Sequence, residues 1–255
     1  MAPPLNAFRV TLVLFALAVL FSLPALQGSG RDLDYGANLS RFLGRFWPPD
    51  FSVWREILPA LWETFQIAVM STLFAGLLSL PVAVAAARNL SPRPVVVVAR
   101  FFLNVIRSIP SLIWALLAVA LVGANSLAGV IALTFYSMGY LGKFFSDAFE
   151  SVESGVAEAL KAGGADAIQS FQYGILPHAK PILWSQTLWM LEYNIRSATI
   201  IGYVGAGGIG VWLYSYQEFG RWDRFAAVLC AILAIVILLD FVGERLRSQL
   251  NPPPN

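Results

Sequence analysis

The stretch DAFESVESGVAEALKAGGADAIQSFQYGILPHAK, Asp147 to Lys180, separates two apolar runs, Leu127–Phe145 and Pro181–Val204. Each run approaches the roughly 20 apolar residues that cross a bilayer. The stretch between them is too polar to remain in hydrocarbon, so the chain leaves the membrane here and re-enters just after Pro177. Ala157, Leu160, Ala165 and Ile168 favour helix, and Gly163 and Gly164 interrupt the pattern. Two short helices with a glycine joint are predicted.

Further apolar segments lie on either side of this loop and its flanking runs: Phe8–Leu26, Leu61–Ala87, Val95–Val122 and Phe225–Val242. The Val95–Val122 segment contains Pro110, where a helix must kink or break. About six spans follow from length and apolarity, and the expected fold class is an all-α membrane protein. Composition agrees. Of 255 residues, 58% are hydrophobic and 13% charged, whereas soluble domains carry about 25% charged residues. Mean hydropathy is +0.68. A net charge of +2 is too small to suggest a nucleic acid partner. The single cysteine, Cys230, permits no internal disulfide and reads as a small packing residue. The single histidine, His178, has no Cys or second His to join it in a metal site. No cofactor bound by this chain is expected.

Three regions are predicted: an N-terminal span with an outer segment over 1–60, a membrane core over 61–247, and a disordered Pro-rich tail over 248–255. Phe8–Leu26 has features of a cleaved signal peptide, but a retained helix fits the charge distribution better. Six spans place both termini on one side. Nine Lys and Arg residues, Arg9 to Arg247, then share the cytoplasm, against six, Arg31 to Arg224, outside. That is the direction of the positive-inside rule. The outer segment, Gly28 to Pro59, holds Phe42, Phe46, Trp47, Phe51 and Trp54 among charges. It reads as an amphipathic element on the membrane surface.

The run after the loop carries Glu192 and Arg196, four residues apart and on one helix face. Ionisable groups at that depth face the protein interior or water and mark functional sites. A structural alternative is that they pair with each other. Asn194, Ser197 and Thr199 add polar groups. Gly202 to Gly210 reads GYVGAGGIG, which cannot hold a lipid-facing helix; Gly205, Gly207 and Gly208 either line a cavity or allow tight packing of the last span or of a second copy. Arg107 and Ser108 lie just before Pro110, and a helix starting near Ser111 would aim free N–H groups at an anion.

In the loop, Glu158-Ala159-Leu160 is followed by Gly164 six residues after the Glu, and by Leu176-Pro177, with Pro177 thirteen residues beyond that glycine. This resembles the EAA loop of bacterial ABC importer permeases. Leu160 departs from the second Ala of that motif, and Gly174 stands where many members carry an apolar residue. The elements Glu192-x-Asn194-x-Arg196-Ser197-Ala198-Thr199, the glycine loop and Arg107-Ser108-Ile109-Pro110 are similar to the phosphonate permease branch, which includes phosphite importers. The methionine permease branch shares Arg-Ser-Ile-Pro and the glycine loop but lacks Arg-Ser-Ala-Thr.

The resemblance implies a type I ABC importer permease fold, with Glu158, Ala159, Gly163, Gly164, Leu176 and Pro177 in a cytoplasmic coupling helix region that docks on an ATPase. It implies a substrate pathway through Arg107, Ser108, Glu192, Asn194, Arg196, Ser197, Thr199, Gly205, Gly207 and Gly208. Arg is suited to oxyanions because its guanidinium stays charged and binds them with two parallel hydrogen bonds. The implied partners are a homodimeric ATP-binding subunit that holds ATP and Mg, a second permease copy, an extracytoplasmic binding protein and membrane lipid. The implied location is the bacterial inner membrane. The chain contains no Gly-x-x-x-x-Gly-Lys-[Ser/Thr] phosphate loop and no catalytic constellation in its spans, so an enzyme is not expected. A methionine permease and a passive channel are the rival readings.

Overall fold

In the computed structural model of the chain, residues 7–26 and 34–250 are described. No strand occurs among them, and they belong to two compact units, Met1–Arg45 and Phe46–Asn255. Gly28, Arg31 and the tail from Asn251 onward lie outside the described residues.

The first unit holds α1 (Ala7–Ser22), prolonged by a 3-10 turn, and α2 (Tyr35–Gly44). Helix α1 exposes apolar side chains along its length, Phe8, Leu14 and Phe21 among them. Helix α2 starts at Asp34, whose carboxylate accepts from the Ala37 amide at 3.0 Å. Tyr35, Leu39, Phe42 and Leu43 form an exposed stripe at amphipathic spacing.

The second unit is built around α3 (Trp54–Ala86) and α6 (Ser126–Glu150). Small residues line their buried faces: Ala68, Ser71, Ala75, Ser79 and Ala83 on α3, Gly129, Ala132, Gly139 and Gly142 on α6. Lipid tails are as apolar as leucine, so helices in a membrane associate through close van der Waals contact of small residues. The large apolar side chains of α3 point the other way; Trp62, Leu73, Phe74, Leu77 and Leu78 are exposed. The two helices run parallel. The Ser126 hydroxyl donates to Glu63 near their starts, the Ser79 hydroxyl donates to the Met138 carbonyl at 3.2 Å, and the Arg88 amide donates to Glu150 at 2.6 Å at their ends.

Helix α4 (Arg93–Ser108) packs on α6 where α6 has glycines. A Cβ on Gly142 would stand 2.6 Å from Leu103 Cδ2, and one on Gly139 would stand 3.0 Å from Ile106 Cγ2. Arg100 closes this contact, donating to Glu150 at 2.5 Å and to the Ala86 carbonyl at 2.9 Å. Helix α5 (Ser111–Val122) leaves α4 at an angle of 86°. Val95–Val122 is therefore two helices and not one straight span. Ile109 is extended (φ −89°, ψ 120°), as the ring of Pro110 requires of the residue before it.

After the loop, α9 (Leu176–Ile201) returns antiparallel to α6, and α10 (Gly210–Glu218) and α11 (Trp222–Leu250) follow. Among the described residues four helical stretches are long and apolar enough to span a membrane: Phe8–Leu26, Phe51–Ala86, Ser126–Glu150 and Trp222–Ser248. The bent pair α4–α5 would make a fifth. Helix α9 is long enough, at 26 residues or about 39 Å, but its charges set it apart from a lipid-facing span, and Glu192 and Asn194 on it are buried. Cys230 is exposed on α11 and is not a core packing residue.

At the start of α3, Asp50 accepts from Arg224 Nε at 3.2 Å and from the Ser52 amide at 2.9 Å. Tyr216 donates to Glu56 at 2.7 Å. The Ser52 hydroxyl and amide, with Arg224 assisting, hold the Asp50 carboxyl below its usual pKa.

Candidate functional site

The loop folds from local chemistry. Helix α7 (Ser154–Ala162) ends in a Schellman turn: Gly164 N–H donates to Lys161 O, and Ala165 N–H donates to Leu160 O, each at 3.0 Å. Gly164 takes φ +92°, which a side chain would disfavour. Helix α8 (Ala167–Ser170) opens with a capping box between Asp166 and Gln169 and continues through a single π-turn, Phe171–Ile175, into α9. Glu158, Ala159, Gly163, Gly164 and Pro177 are exposed, and Leu176 is half-buried. Ile168 and Tyr173 are also exposed, 74% and 66%, and extend the apolar part of this surface beyond the expected residues.

Leu160 and Gly174, the two departures from the usual motif, meet in space. A Cβ on Gly174 would stand 2.8 Å from Leu160 Cδ1 and 3.4 Å from Val156 Cγ1. The larger side chain at 160 occupies the room left by the missing one at 174, which seats α7 on the π-turn that leads into α9.

On α9, Glu192 and Arg196 do not pair with each other. Glu192 accepts from Arg247, and Arg196 Nη1 donates to Asp240 at 2.8 Å. Asp240 and Arg247 are two turns apart on α11 and present one face to α9. Between them, Gly243 leaves the room that the Glu192 carboxylate fills. Asn194 is fully buried; its Oδ1 accepts from Ser137 at 2.8 Å and its Nδ2 donates to Thr72 at 2.9 Å, so it ties α9 to α6 and α3. Ser197 and Thr199 are buried, and the Thr199 hydroxyl turns back to the Ile195 carbonyl.

The glycine loop rests on the start of α3 and the turn into α6. Gly207 and Gly208 have φ of +82° and +74°. A Cβ on Gly207 would stand 2.9 Å from Ser126 Cα, and one on Gly208 2.6 Å from Thr64 Oγ1. Thr64 Oγ1 also accepts from the Ile209 amide at 2.8 Å. Gly205 packs against Ala124. The loop packs tightly against α3 and the α5–α6 turn, rather than against the last span as the packing alternative had it. Arg107 lies elsewhere, with its guanidinium 5.2 Å from the Tyr140 ring centroid, and Ser108 bonds back to the Val105 carbonyl. The expected pathway residues therefore form three groups, at α9–α11, at the glycine loop and at the end of α4.

An aromatic row between these groups escaped the sequence reading. Tyr136, Tyr140 and Phe144 follow one another at four-residue spacing on α6, and Trp189 and Tyr193 do so on α9. Tyr136 stacks on Tyr193 (5.6 Å), Tyr193 on Trp189 (5.8 Å), and Phe144 meets Trp189 edge-on (5.8 Å). Matching i, i+4 aromatic pairs on two spans were the available signal. Among the described residues no group of three His, Cys, Asp or Glu is placed to hold a metal ion.

Residues 79–251 match the family of binding-protein-dependent transport system inner membrane components. The chain belongs to that family. The match takes in the loop, the aromatic row and all three groups of candidate residues, and leaves out the N-terminal third. The permease is 40% identical over 215 residues to the phosphite transport system permease protein PtxC of Stutzerimonas stutzeri, covering 84% of this chain and 78% of that one. It is 34% identical over 222 residues to the phosphate-import permease protein PhnE of Mycolicibacterium smegmatis, covering 87% of this chain and 42% of that one. Its fold is similar to an inward-facing structure of the MetNI methionine ABC transporter, with TM-score 0.68 and 25% identity over 76% of this chain and 96% of that one. The permease is thus the membrane component of an ABC importer, with the type I permease fold. Its relatives are permease subunits, which are not catalytic.

Proposed function

We propose that the permease carries phosphite, a phosphonate or a related phosphorus oxyanion across the inner membrane, driven by ATP hydrolysis in a separate subunit. The likeness to a phosphite permease, 40% identical over most of both chains, carries this reading. The chemistry of α9 supports it. Arg196 lies in the last two turns of α9, its charge balanced by Asp240 at 2.8 Å with both side chains about half exposed. An arriving oxyanion competes with Asp240 for the guanidinium. Such a site is weak, as a transit site must be to release its cargo.

In this reading two copies of the chain face each other and both termini are cytoplasmic. A binding protein delivers substrate at the outer face. The loop around Glu158 docks on the ATPase, and closure of two ATPase subunits on ATP pulls on both loops. The likeness to a methionine transporter supports the shared architecture, while the 25% identity gives methionine less weight as cargo.

The test is phosphite uptake into proteoliposomes that hold the permease with its ATPase and binding protein. Arg196→Ala is expected to abolish uptake and leave assembly with the ATPase intact, and Asp240→Asn to retain it because the guanidinium remains. Uptake by Arg196→Ala at the wild-type rate removes Arg196 from the pathway. Inhibition of phosphite uptake by excess methionine favours the rival cargo, and ATP hydrolysis by the permease alone overturns the division of labour.

A further inference from the structure

Tyr136, Tyr140, Trp189, Met190 and Tyr193 enclose a cavity of about 220 Å³ between α6 and α9. No charged side chain lines it. Met190 is buried at 1% exposure, while Trp189 is 37% exposed and Tyr140 and Tyr193 are half-buried, so the cavity has a closed side and an open one. The Tyr136 and Tyr193 hydroxyls lie 2.7 Å apart. Tyr140 also bonds to Tyr136, so three hydroxyls share two hydrogen bonds and one O–H of the three is left to donate elsewhere. Arg107 stacks on Tyr140, one of the lining rings, at 5.2 Å.

Ring faces carry negative quadrupole density; they hold alkyl and cationic groups and gain nothing from a bare anion. Phosphite, which has no organic part, gives the cavity no role. An organophosphonate does. We propose that this cavity receives the carbon-bound substituent of an organophosphonate in transit, with the oxyanion end held by Arg107 and the free tyrosine hydroxyl. The volume is below that of drug-sized pockets and suits a short alkyl or aminoalkyl group. The inference rests on the proposed phosphorus oxyanion cargo and adds to it a subsite that only substrates with a carbon–phosphorus bond fill.

The experiment measures uptake of 2-aminoethylphosphonate and of phosphite by the complete complex in proteoliposomes, for wild type, Trp189→Leu, Tyr140→Leu and Trp189→Phe. Each leucine variant is expected to lower the ratio of 2-aminoethylphosphonate to phosphite uptake by about tenfold, and Trp189→Phe to restore most of it. Phosphite uptake in the same vesicles reports folding and assembly. Equal loss of both substrates, or no change in the ratio, overturns the proposal. So does a wild-type complex that carries phosphite and no organophosphonate, which leaves the oxyanion reading standing. A wild-type complex that carries neither substrate overturns the oxyanion reading itself.

Discussion

Asn194 shows how a single polar side chain can hold three membrane helices together. Its carbonyl and amide reach Ser137 and Thr72 at 2.8 and 2.9 Å, and it has no exposed surface. An unpaired polar group in a buried site costs about 1–3 kcal/mol. Asn194→Leu removes both bonds and leaves the two hydroxyls behind. It is expected to destabilise the permease by that amount, read as a lower thermal midpoint in detergent, and Asn194→Asp to do likewise through a buried charge. An unchanged midpoint for Asn194→Leu would show that the two hydrogen bonds do not hold the helices together. The sequence placed Asn194 at membrane depth among functional candidates. Its partners, 57 residues before it for Ser137 and 122 for Thr72, depend on helix register that the local sequence does not encode.

The Asp147–Lys180 loop is legible for the opposite reason. Its glycine joint, its capping box and the Leu-Pro at the start of α9 act over a few residues, so local composition predicts the two short helices. The break at Pro110 is legible too, because proline restricts its neighbour, but the 86° angle comes from how α5 packs on α6 and is not. Leu160 and Gly174 read as two separate departures until the structure joins them. Gly174→Val is expected to push α7 off the π-turn and uncouple transport, read as binding-protein-stimulated ATP hydrolysis without substrate uptake. Adding Leu160→Ala is expected to restore coupling by vacating the space. If the double variant is no better than Gly174→Val, the contact does not set the position of α7.

Across the whole molecule, opposite ends of the chain are joined by charge. Asp50 and Arg224 bind segments 174 residues apart at the start of α3 and α11. The Asp50 pKa is depressed in the folded protein. Its contribution to stability is therefore complete above the ordinary carboxylate value, about 3.9, and is lost as pH falls through the lower folded value. Asp50→Asn is expected to melt below wild type at pH 7, with the difference closing in acid; a pH-independent difference would assign the effect to shape. At the other end of α11, Glu192 and Arg196 wait for partners 55 and 44 residues further along. Translation proceeds at about 5–20 residues per second. For several seconds the nascent chain carries this acid and base in the membrane with only each other as counter-ions, four residues apart on one helix face, until α11 leaves the ribosome. The charges of α9 are thus matched only once α11 has been made, and a message cut short before Asp240 is expected to yield a chain cleared faster than the intact permease, as read by pulse-chase.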